Sequence, residues 1–482
     1  MSLADTLFLL VYLTAVLVVG FLCRQRSNSP SQHYLAGRRM GMLPVGISIM
    51  VTSFSAINFM AIPEEVSSHG LYVIFSFPIF FLAAWPISKI WMPYFQRLQC
   101  TTVYEFLEQR YSRRVRLLAS FLFLLWRLSW MAIALYVSGK ILAAFTGYNP
   151  LLMIAVCGVT ATIYTCLGGM KAVIWTDVLQ FCVLLAGIVA AVCFAWRDCP
   201  ESLGTLLREG GRLRPLQPFD GQFLSLNPSL RMTFWSVTLG TMAAFMTRYG
   251  ADQVVMQRYF AAKDLKQAQR GLWLNAFASL LALSLLSLLG LAIYLQAVKA
   301  GVIAAGAPCP RGLALRQLVA LCRKFPPGFS GLLVAGILAA TMSSVDSGIN
   351  SCSAALATDF RCRWDSRLLA LAIGLGITAL GLLLLPPLNQ SQSLFAIINR
   401  LVNGLGSPLL AIVALGMFSR RTTARGVFLG GLLGLLCSLV LTSIINALAL
   451  HYYAVLNLLV TLGFCLLCSR LDPSTKTIDK ER

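Results

Sequence analysis

Long apolar runs recur along the whole chain and limit it to one structural class. The sequence has 482 residues, of which 58% are hydrophobic and 12% charged, and its mean hydropathy is +0.76. A helix that crosses a bilayer needs about 20 apolar residues, and about thirteen runs reach that length. Their centres lie near residues 14, 54, 80, 130, 158, 186, 240, 283, 342, 377, 405, 437 and 460. The sequence therefore predicts an all-α membrane protein, because a water-soluble fold could not bury so much apolar surface.

Basic residues are concentrated in short loops between these runs and predict the orientation. The first run has no basic segment before it and no small-residue cleavage site after it, so we expect a retained span. By the positive-inside rule its N-terminus lies outside, and alternation then places the C-terminus in the cytoplasm. The inner loops would contain Arg24, Arg26, Arg38, Arg39, Arg110, Arg113, Arg114, Arg116, Arg258, Lys263, Lys266, Arg270, Arg420, Arg421 and Arg425. Topology and anionic headgroups account for the net charge of +21 without nucleic acid.

One run becomes polar in its second half. In residues 331–353, GLLVAGILAATMSSVDSGINSCS, five polar residues share one helical face: Ser343, Asp346, Ser347, Asn350 and Ser351. Hydroxyl and carboxylate oxygens suit a hard cation. An acid in a spanning helix is costly and typically marks an ion or substrate pathway. A packing face of small residues is the alternative, although it explains the serines and not Asp346.

A second run, residues 44–63, predicts a broken helix. It lies between Pro44 and Pro63, and its middle contains the polar residues Ser48, Thr52, Ser53, Ser55 and Asn58. Hydroxyl groups can satisfy backbone atoms that a helix break exposes, and broken helices form binding sites in transporters. A hydroxyl-lined packing seam is the alternative interpretation.

The order of the runs indicates an internal repeat. Runs two to six and seven to eleven each number five and have opposite predicted orientations, which is typical of inverted-repeat transporters. The predicted units are 1–41, an extra helix and inner loop; 42–197, the first repeat; 198–230, an outer loop; 231–420, the second repeat; and 421–482, two helices and a short cytoplasmic tail. Helix breaks are expected in residues 232–250 and at Gly168–Gly169.

Three segments together resemble the sodium:solute symporter family. They are YTCLGGMKAVIWTDVLQ (residues 164–180), VMQRYFAAKDLKQA and GILAATMSSVDSGINS. The resemblance implies a leucine-transporter-type fold and sodium as the coupling ion. It also implies a main sodium site formed by carbonyls of one broken helix and by a carbonyl and two hydroxyls opposite. The matching residues are Val51, Phe54, Ala340, Ser343 and Ser344.

The motif FSAINFMAIP is most similar to the sialic-acid branch of that family. This similarity implies a substrate site at Ser53, Ser55 and Asn58. That branch has an arginine for the substrate carboxylate where this chain has Trp130, and Arg127 lies nearly one turn earlier. A sialic acid, another organic anion such as a monocarboxylate, or a sugar all remain open as substrates. Arg127 would face a cavity or a carboxylate, or else extend to the cytoplasmic end.

The same resemblance implies a second sodium site, at Asp177, Ser343, Asp346 and Ser347. Two carboxylates facing one position need a cation or a shared proton to offset their repulsion. The alternative is that Asp177 only caps a helix and that Asp346 pairs with a cytoplasmic arginine.

We therefore expect a sodium-coupled symporter that imports a small polar solute by alternating access. Proton coupling through Asp177 or Asp346 is one alternative, and a membrane sensor module that feeds a kinase is another. An enzyme is not expected, because His33, His69 and His451 lie far apart without a nucleophile or metal-ligand spacing nearby. The expected partners are the solute and the lipid bilayer, with neither nucleic acid nor an obligate protein partner.

Overall fold

The fold was obtained as a computed structural model. It describes residues 2–24, 30–197, 199, 203–213, 223–230, 232–384, 394–444, 449 and 451–472. Side chains are described within these ranges except at 30, 203, 206, 394–403 and 443–444. Arg26, residues 198, 200–202 and 214–222 of the predicted outer loop, and the end of the tail lie outside the described residues.

Regular structure in the described ranges is helical, apart from one isolated bridge between Met40 and Ala262. The helices are α1 (Leu3–Leu22), α2 (Pro30–Leu35), α3 (Met42–Ser53), α4 (Ala56–His69), α5 (Ser76–Pro86), α6 (Met92–Leu98), α7 (Glu105–Arg110), α8 (Arg113–Thr146), α9 (Pro150–Arg197), α10 (Leu203–Glu209), α11 (Phe234–Gly250), α12 (Gln253–Ala261), α13 (Leu265–Lys299), α14 (Leu313–Cys322), α15 (Phe329–Thr358), α16 (Ser366–Leu383), α17 (Leu394–Phe418), α18 (Ala424–Ile444) and α19 (Tyr452–Leu471). Short 3-10 turns lie at Ala36–Arg38 and Leu71–Phe75, and a π turn at Ile87–Trp91 joins α5 to α6.

The predicted all-α membrane class is confirmed in its coarser form. Nine helices in the described ranges are long and apolar enough to cross a bilayer, or ten if the bent pair α3 and α4 is one span. The number of helices that meet these criteria of length and composition is below the predicted count of about thirteen spans. One reason is that α9, with 48 residues, contains two of the predicted runs. Another is that α11 has only 17 residues.

The break predicted in residues 44–63 is present. Helix α3 ends at Ser53, α4 begins at Ala56, and their axes differ by 64°. Phe54 has an extended backbone (φ −111°, ψ 108°). The predicted limits of this run were wrong, because Pro63 lies inside α4, which continues to His69. Pro63 is therefore a residue within the second half of the broken span and does not end it.

Helix α15 is the centre of the bundle. Its buried residues run almost without interruption from Leu333 to Ala355. It packs against α9, α8, α1, α16 and α3. A Cβ atom at Gly348 would overlap the Met131 side chain of α8, so the glycine leaves space for that side chain where the two helices pack.

The predicted inner loops meet at one end of the molecule. Arg38 donates to the Gln99 and Cys100 carbonyls, and Arg110 donates to the Ser419 carbonyl. Arg258 does not belong to this surface, and its assignment to an inner loop was wrong. It lies on α12 and is fully buried, and its guanidinium donates hydrogen bonds to Ser48 and Asp177 inside the helix bundle.

Candidate functional site

Two serines of α15 contact the break between α3 and α4. The Ser343 hydroxyl donates to the carbonyls of Val51 (3.2 Å) and Ala340 (3.1 Å). The Ser344 hydroxyl lies 3.3 Å from the Ala340 carbonyl and 3.3 Å from the Thr52 carbonyl. Both serines have 0% exposure. A helix that follows its regular course would use the carbonyls of α3 internally, so the break is what makes them available.

This group of atoms consists of neutral hard oxygens, which is the donor type that a small hard cation prefers. Four of the five residues expected to hold sodium, Val51, Ala340, Ser343 and Ser344, lie in it. Phe54, the fifth, lies at the bend and donates its N–H to the Val51 carbonyl at 3.0 Å. The Thr52 carbonyl also faces this group, although sequence reasoning did not select it.

A second buried polar cluster lies next to it, around the guanidinium of Arg258. Asp177 is 3.2 Å from Arg258, and both side chains have 0% exposure. Arg258 also donates to the hydroxyls of Ser48 and Thr52 on α3 and of Ser347 on α15. Asp177 lies well past the break at Gly169 (φ 54°), inside the second half of α9, so it does not cap that helix.

Asp346 belongs to the same cluster. Its carboxylate accepts from the Tyr164 hydroxyl (2.5 Å) and from Ser347 (3.0 Å). Asp346 therefore does not pair with a cytoplasmic arginine. Of the four residues expected at a second sodium site, three lie in this cluster: Asp177, Asp346 and Ser347. The fourth, Ser343, donates instead to the Val51 carbonyl at the helix break.

Charges in this cluster do not balance. It contains two carboxylates and one guanidinium, and Asp177 Oδ1 is buried without a partner among the described residues. No set of three His, Cys, Asp or Glu side chains suited to a metal occurs in the described part of the chain. With both carboxylates ionised, the cluster lacks one positive charge, and the groups that would face an added cation are hydroxyls and carboxylates.

Three of the expected substrate residues, Ser53, Ser55 and Asn58, lie at the same helix break. The Ser53 carbonyl accepts from Arg248 (2.8 Å) and from the Asn58 amide (3.4 Å). The Ser55 hydroxyl is buried and has no hydrogen-bond partner among the described residues. Trp130 on α8 is only 7% exposed.

Arg127 faces a carboxylate, one of the two surroundings expected for it, and does not extend to a helix end. It is 3% exposed, and its Nη2 lies 3.6 Å from Asp252 Oδ2 at the start of α12. A substrate carboxylate that bound Arg127 would therefore have to compete with Asp252 for it.

Sequence reasoning missed Arg248, Arg258 and Tyr164 as site residues. A partial signal was present for both arginines, since a helix break was expected in residues 232–250. The structure has it just after that range, because α11 runs unbroken to Gly250 and α12 begins at Gln253. The positive-inside rule assigned Arg258 to a loop and did not consider Arg248. Tyr164 had no signal beyond its place in the YTCLGGMK segment.

Comparison with known proteins agrees with this arrangement. The model of the sodium:solute symporter family matches residues 33–434. A human sodium-coupled monocarboxylate transporter 1 is 30% identical over 425 residues, which are 84% of this chain and 67% of that protein. The sodium/sialic acid symporter NanT of Aliivibrio fischeri is 28% identical over 450 residues, 88% of this chain and 84% of that one.

A solved structure shows the same fold. A sodium-coupled sialic acid symporter in a substrate-bound outward-open state superposes with a TM-score of 0.85 and 23% identity, and covers 98% of both chains. The family match spans most of the sequence and confirms the resemblance inferred from the three motifs. The chain is a multi-pass membrane protein, and it belongs to the sodium:solute symporter family.

Proposed function

We propose that this protein is a secondary transporter that imports a small organic solute together with sodium. Sodium lies between α3 and α15, held by the carbonyls of Val51, Phe54 and Ala340 and by the hydroxyls of Ser343 and Ser344. Transport proceeds by alternating access, with sodium favouring the state that binds substrate.

The observation that carries the proposal is the contact between Ser343 and the Val51 carbonyl at 3.2 Å. The two atoms come from different helices, so any relative movement of α3 and α15 changes the geometry of the site. An ion shifts a conformational equilibrium only through its different affinity for the two states. A site split between two helices provides such a difference.

The proposed topology has about thirteen spans. Two inverted five-helix repeats occupy residues 42–197 and 231–420, with one helix before them and two after. The N-terminus lies outside and the C-terminus in the cytoplasm. Contacts among the inner loops support this arrangement, as does the break at Gly169, which divides α9 into two spans.

The proposed substrate is a small organic anion. Its binding site is formed by Ser53, Ser55 and Asn58 at the break, with Trp130 opposite. Relatives named for monocarboxylates and for sialic acid support an anion, since both compound classes carry a carboxylate. The Ser55 hydroxyl, which has no partner in the described ranges, provides one unused hydrogen-bonding group.

A second cation also belongs to the proposal. The cluster of Asp177, Asp346 and Arg258 is short of one positive charge, which a second sodium or a proton would supply. Proton coupling is therefore the second candidate, and it rests on Asp177 Oδ1, which has no hydrogen-bond partner among the described residues.

The test is sodium dependence in the purified protein. Thermal stabilisation by a panel of carboxylates, sugars and neutral amides is measured in sodium and in potassium at equal ionic strength, and the positive compounds are then used in proteoliposome uptake. We expect stabilisation and uptake that require an inward sodium gradient. Uptake driven equally well by a proton gradient in the absence of sodium would overturn sodium coupling.

A further inference from the structure

Arg248 is the cation that lies directly at the helix break. It is on the last turn of α11, which ends at Gly250, and it is partly buried. Its Nη1 donates to the Ser53 carbonyl at 2.8 Å, on the other broken segment. The side chain therefore connects the break between α3 and α4 with the interruption between α11 and α12.

Arg248 has no counter-ion in the described part of the chain. Its remaining N–H donors make no hydrogen bond there. The nearby carboxylate of Asp252 forms no ion pair with Arg248. Its Oδ2 lies 3.6 Å from Arg127 Nη2 and has no hydrogen-bond partner among the described residues, and its Oδ1 accepts from the Val254 N–H (3.0 Å) at the start of α12. A cation inside a membrane protein without a counter-ion is costly and typically serves a substrate or ion.

The N-terminus of α4 lacks a cap at the same place. Ser55 has an extended backbone there, but its side chain makes no capping hydrogen bond. Its hydroxyl is 1% exposed and unpartnered within the described residues. The free N–H groups and the helix dipole attract negative charge. The two interruptions thus differ, since Asp252 supplies α12 with a carboxylate and α4 has none.

Resting on the function proposed above, we propose that Arg248 is the specificity-determining residue that binds the carboxylate of an anionic substrate, between its guanidinium and the N-terminus of α4. A guanidinium presents parallel N–H groups that match the two oxygens of a carboxylate. The Ser55 hydroxyl would donate to the same group. Arg127 and Asp252 then form a structural ion pair at the interruption between α11 and α12.

The experiment compares matched anionic and neutral probes. Thermal stabilisation of the purified protein in sodium is measured with lactate against lactamide, and with N-acetylneuraminate against its methyl ester. The variants are Arg248→Gln and Arg248→Lys, with Arg114→Gln as the control because Arg114 is an exposed arginine at the far end of α8. Melting temperatures in sodium alone report whether each variant is folded.

We expect at least one acid to stabilise the wild type and its neutral partner not to do so. Arg248→Gln should weaken binding of that acid by about tenfold or more, Arg248→Lys should weaken it less, and Arg114→Gln should leave it unchanged. Folded Arg248→Gln protein that binds the acid normally, or wild type stabilised by no acid of the panel, would overturn the assignment.

Sodium separates this inference from the proposed function. If neutral probes stabilise the protein only in sodium and the acids do not, the symporter proposal stands and the role of Arg248 is wrong. If stabilisation is equal in sodium and potassium while Arg248→Gln still abolishes it, the anion site is correct and sodium coupling is wrong.

Discussion

Arg258 lies 3.2 Å from Asp177, and neither side chain has any exposed surface. The guanidinium is thus a permanent cation in the cluster where the sequence motifs implied a second sodium. It leaves two carboxylates, Asp177 and Asp346, opposite one positive charge. This relationship makes Arg258 a structural element of the site and limits any mobile cation there to one charge.

The first prediction concerns that pair. Arg258→Met should be strongly destabilising, by about 3–5 kcal/mol, because it leaves a buried carboxylate without its charged partner. The loss is measured as a lower melting temperature of the protein in detergent. Arg258→Met combined with Asp177→Asn should recover part of the loss, since no unpaired charge then remains. Equal melting temperatures for the single and double variants would contradict the pairing.

The second prediction concerns the main sodium site. Ser343→Ala and Ser344→Ala each remove one oxygen and should raise the sodium concentration for half-maximal uptake by about tenfold. Ser353→Ala is the matched control, because its hydroxyl is also buried on α15 but donates only to the Ile349 carbonyl at 2.7 Å. An unchanged sodium dependence in both site variants would exclude this location.

Much of the architecture could be predicted from local pattern. Apolar runs define the spans, and the polar middle of residues 44–63 indicated the break that the structure has at Phe54. The Gly168–Gly169 pair likewise indicated the break inside α9. These features depend on neighbouring residues, which is why one sequence is enough to find them.

Side-chain pairing could not be predicted in the same way. Arg127 and Asp252 are far apart in the chain, as are Arg258 and Asp177, and their contacts depend on how α8, α9 and α12 pack. A rule that counts basic residues near span ends cannot distinguish a loop arginine from a buried one. The assignment of Arg258 failed for that reason.

The third prediction concerns the break in α9. Gly169→Ala should be destabilising by about 1–3 kcal/mol, because Gly169 has φ 54° and ψ −151°, where side chains cause strain. Its Cβ would also lie 2.6 Å from the His33 carbonyl. Gly376→Ala in α16 is the control, since nothing lies within 4 Å there. That control should be neutral or slightly stabilising in the same melting experiment.

The fourth prediction concerns the ion pairs of Arg116, near the start of α8. Arg116 Nε donates to Asp359 Oδ1 at 2.8 Å, and Asp359 is 1% exposed. Arg116 Nη1 donates to Oε2 of the partly exposed Glu108 at 2.6 Å. Asp359→Asn should lower the melting temperature clearly more than Glu108→Gln, whose pair is expected to contribute at most about 1 kcal/mol.

The Glu108 pair also has a predicted pH dependence. The hydrogen bond from Arg116 holds the pKa of the Glu108 carboxyl below its ordinary value. A lowered pKa in the folded state gives stability that is present at neutral pH and is lost as the pH falls through that pKa. The difference between wild type and Glu108→Gln should therefore disappear in acid. A difference that grows as the pH falls would contradict this account.

The last prediction distinguishes a second sodium from a proton at the Asp177 and Asp346 cluster. With Arg258 in place, the cluster has one uncompensated negative charge, and Asp177 Oδ1 has no partner among the described residues. If sodium supplies the missing charge, the Hill coefficient for sodium in uptake should exceed one in wild type. It should fall to about one in Asp177→Asn, because that change removes the charge that the second ion neutralises.

If a proton supplies it, the coefficient should be about one throughout, and the pH dependence of uptake should change in Asp177→Asn and in Asp346→Asn, since the two acids then share the proton. Ser353→Ala again serves as the control on α15. Melting temperatures of both aspartate variants verify that they are folded, because each exchange also alters hydrogen bonds to Ser48 or Tyr164. A coefficient of one in wild type, with unchanged pH dependence in both folded variants, would exclude a mobile cation from this cluster.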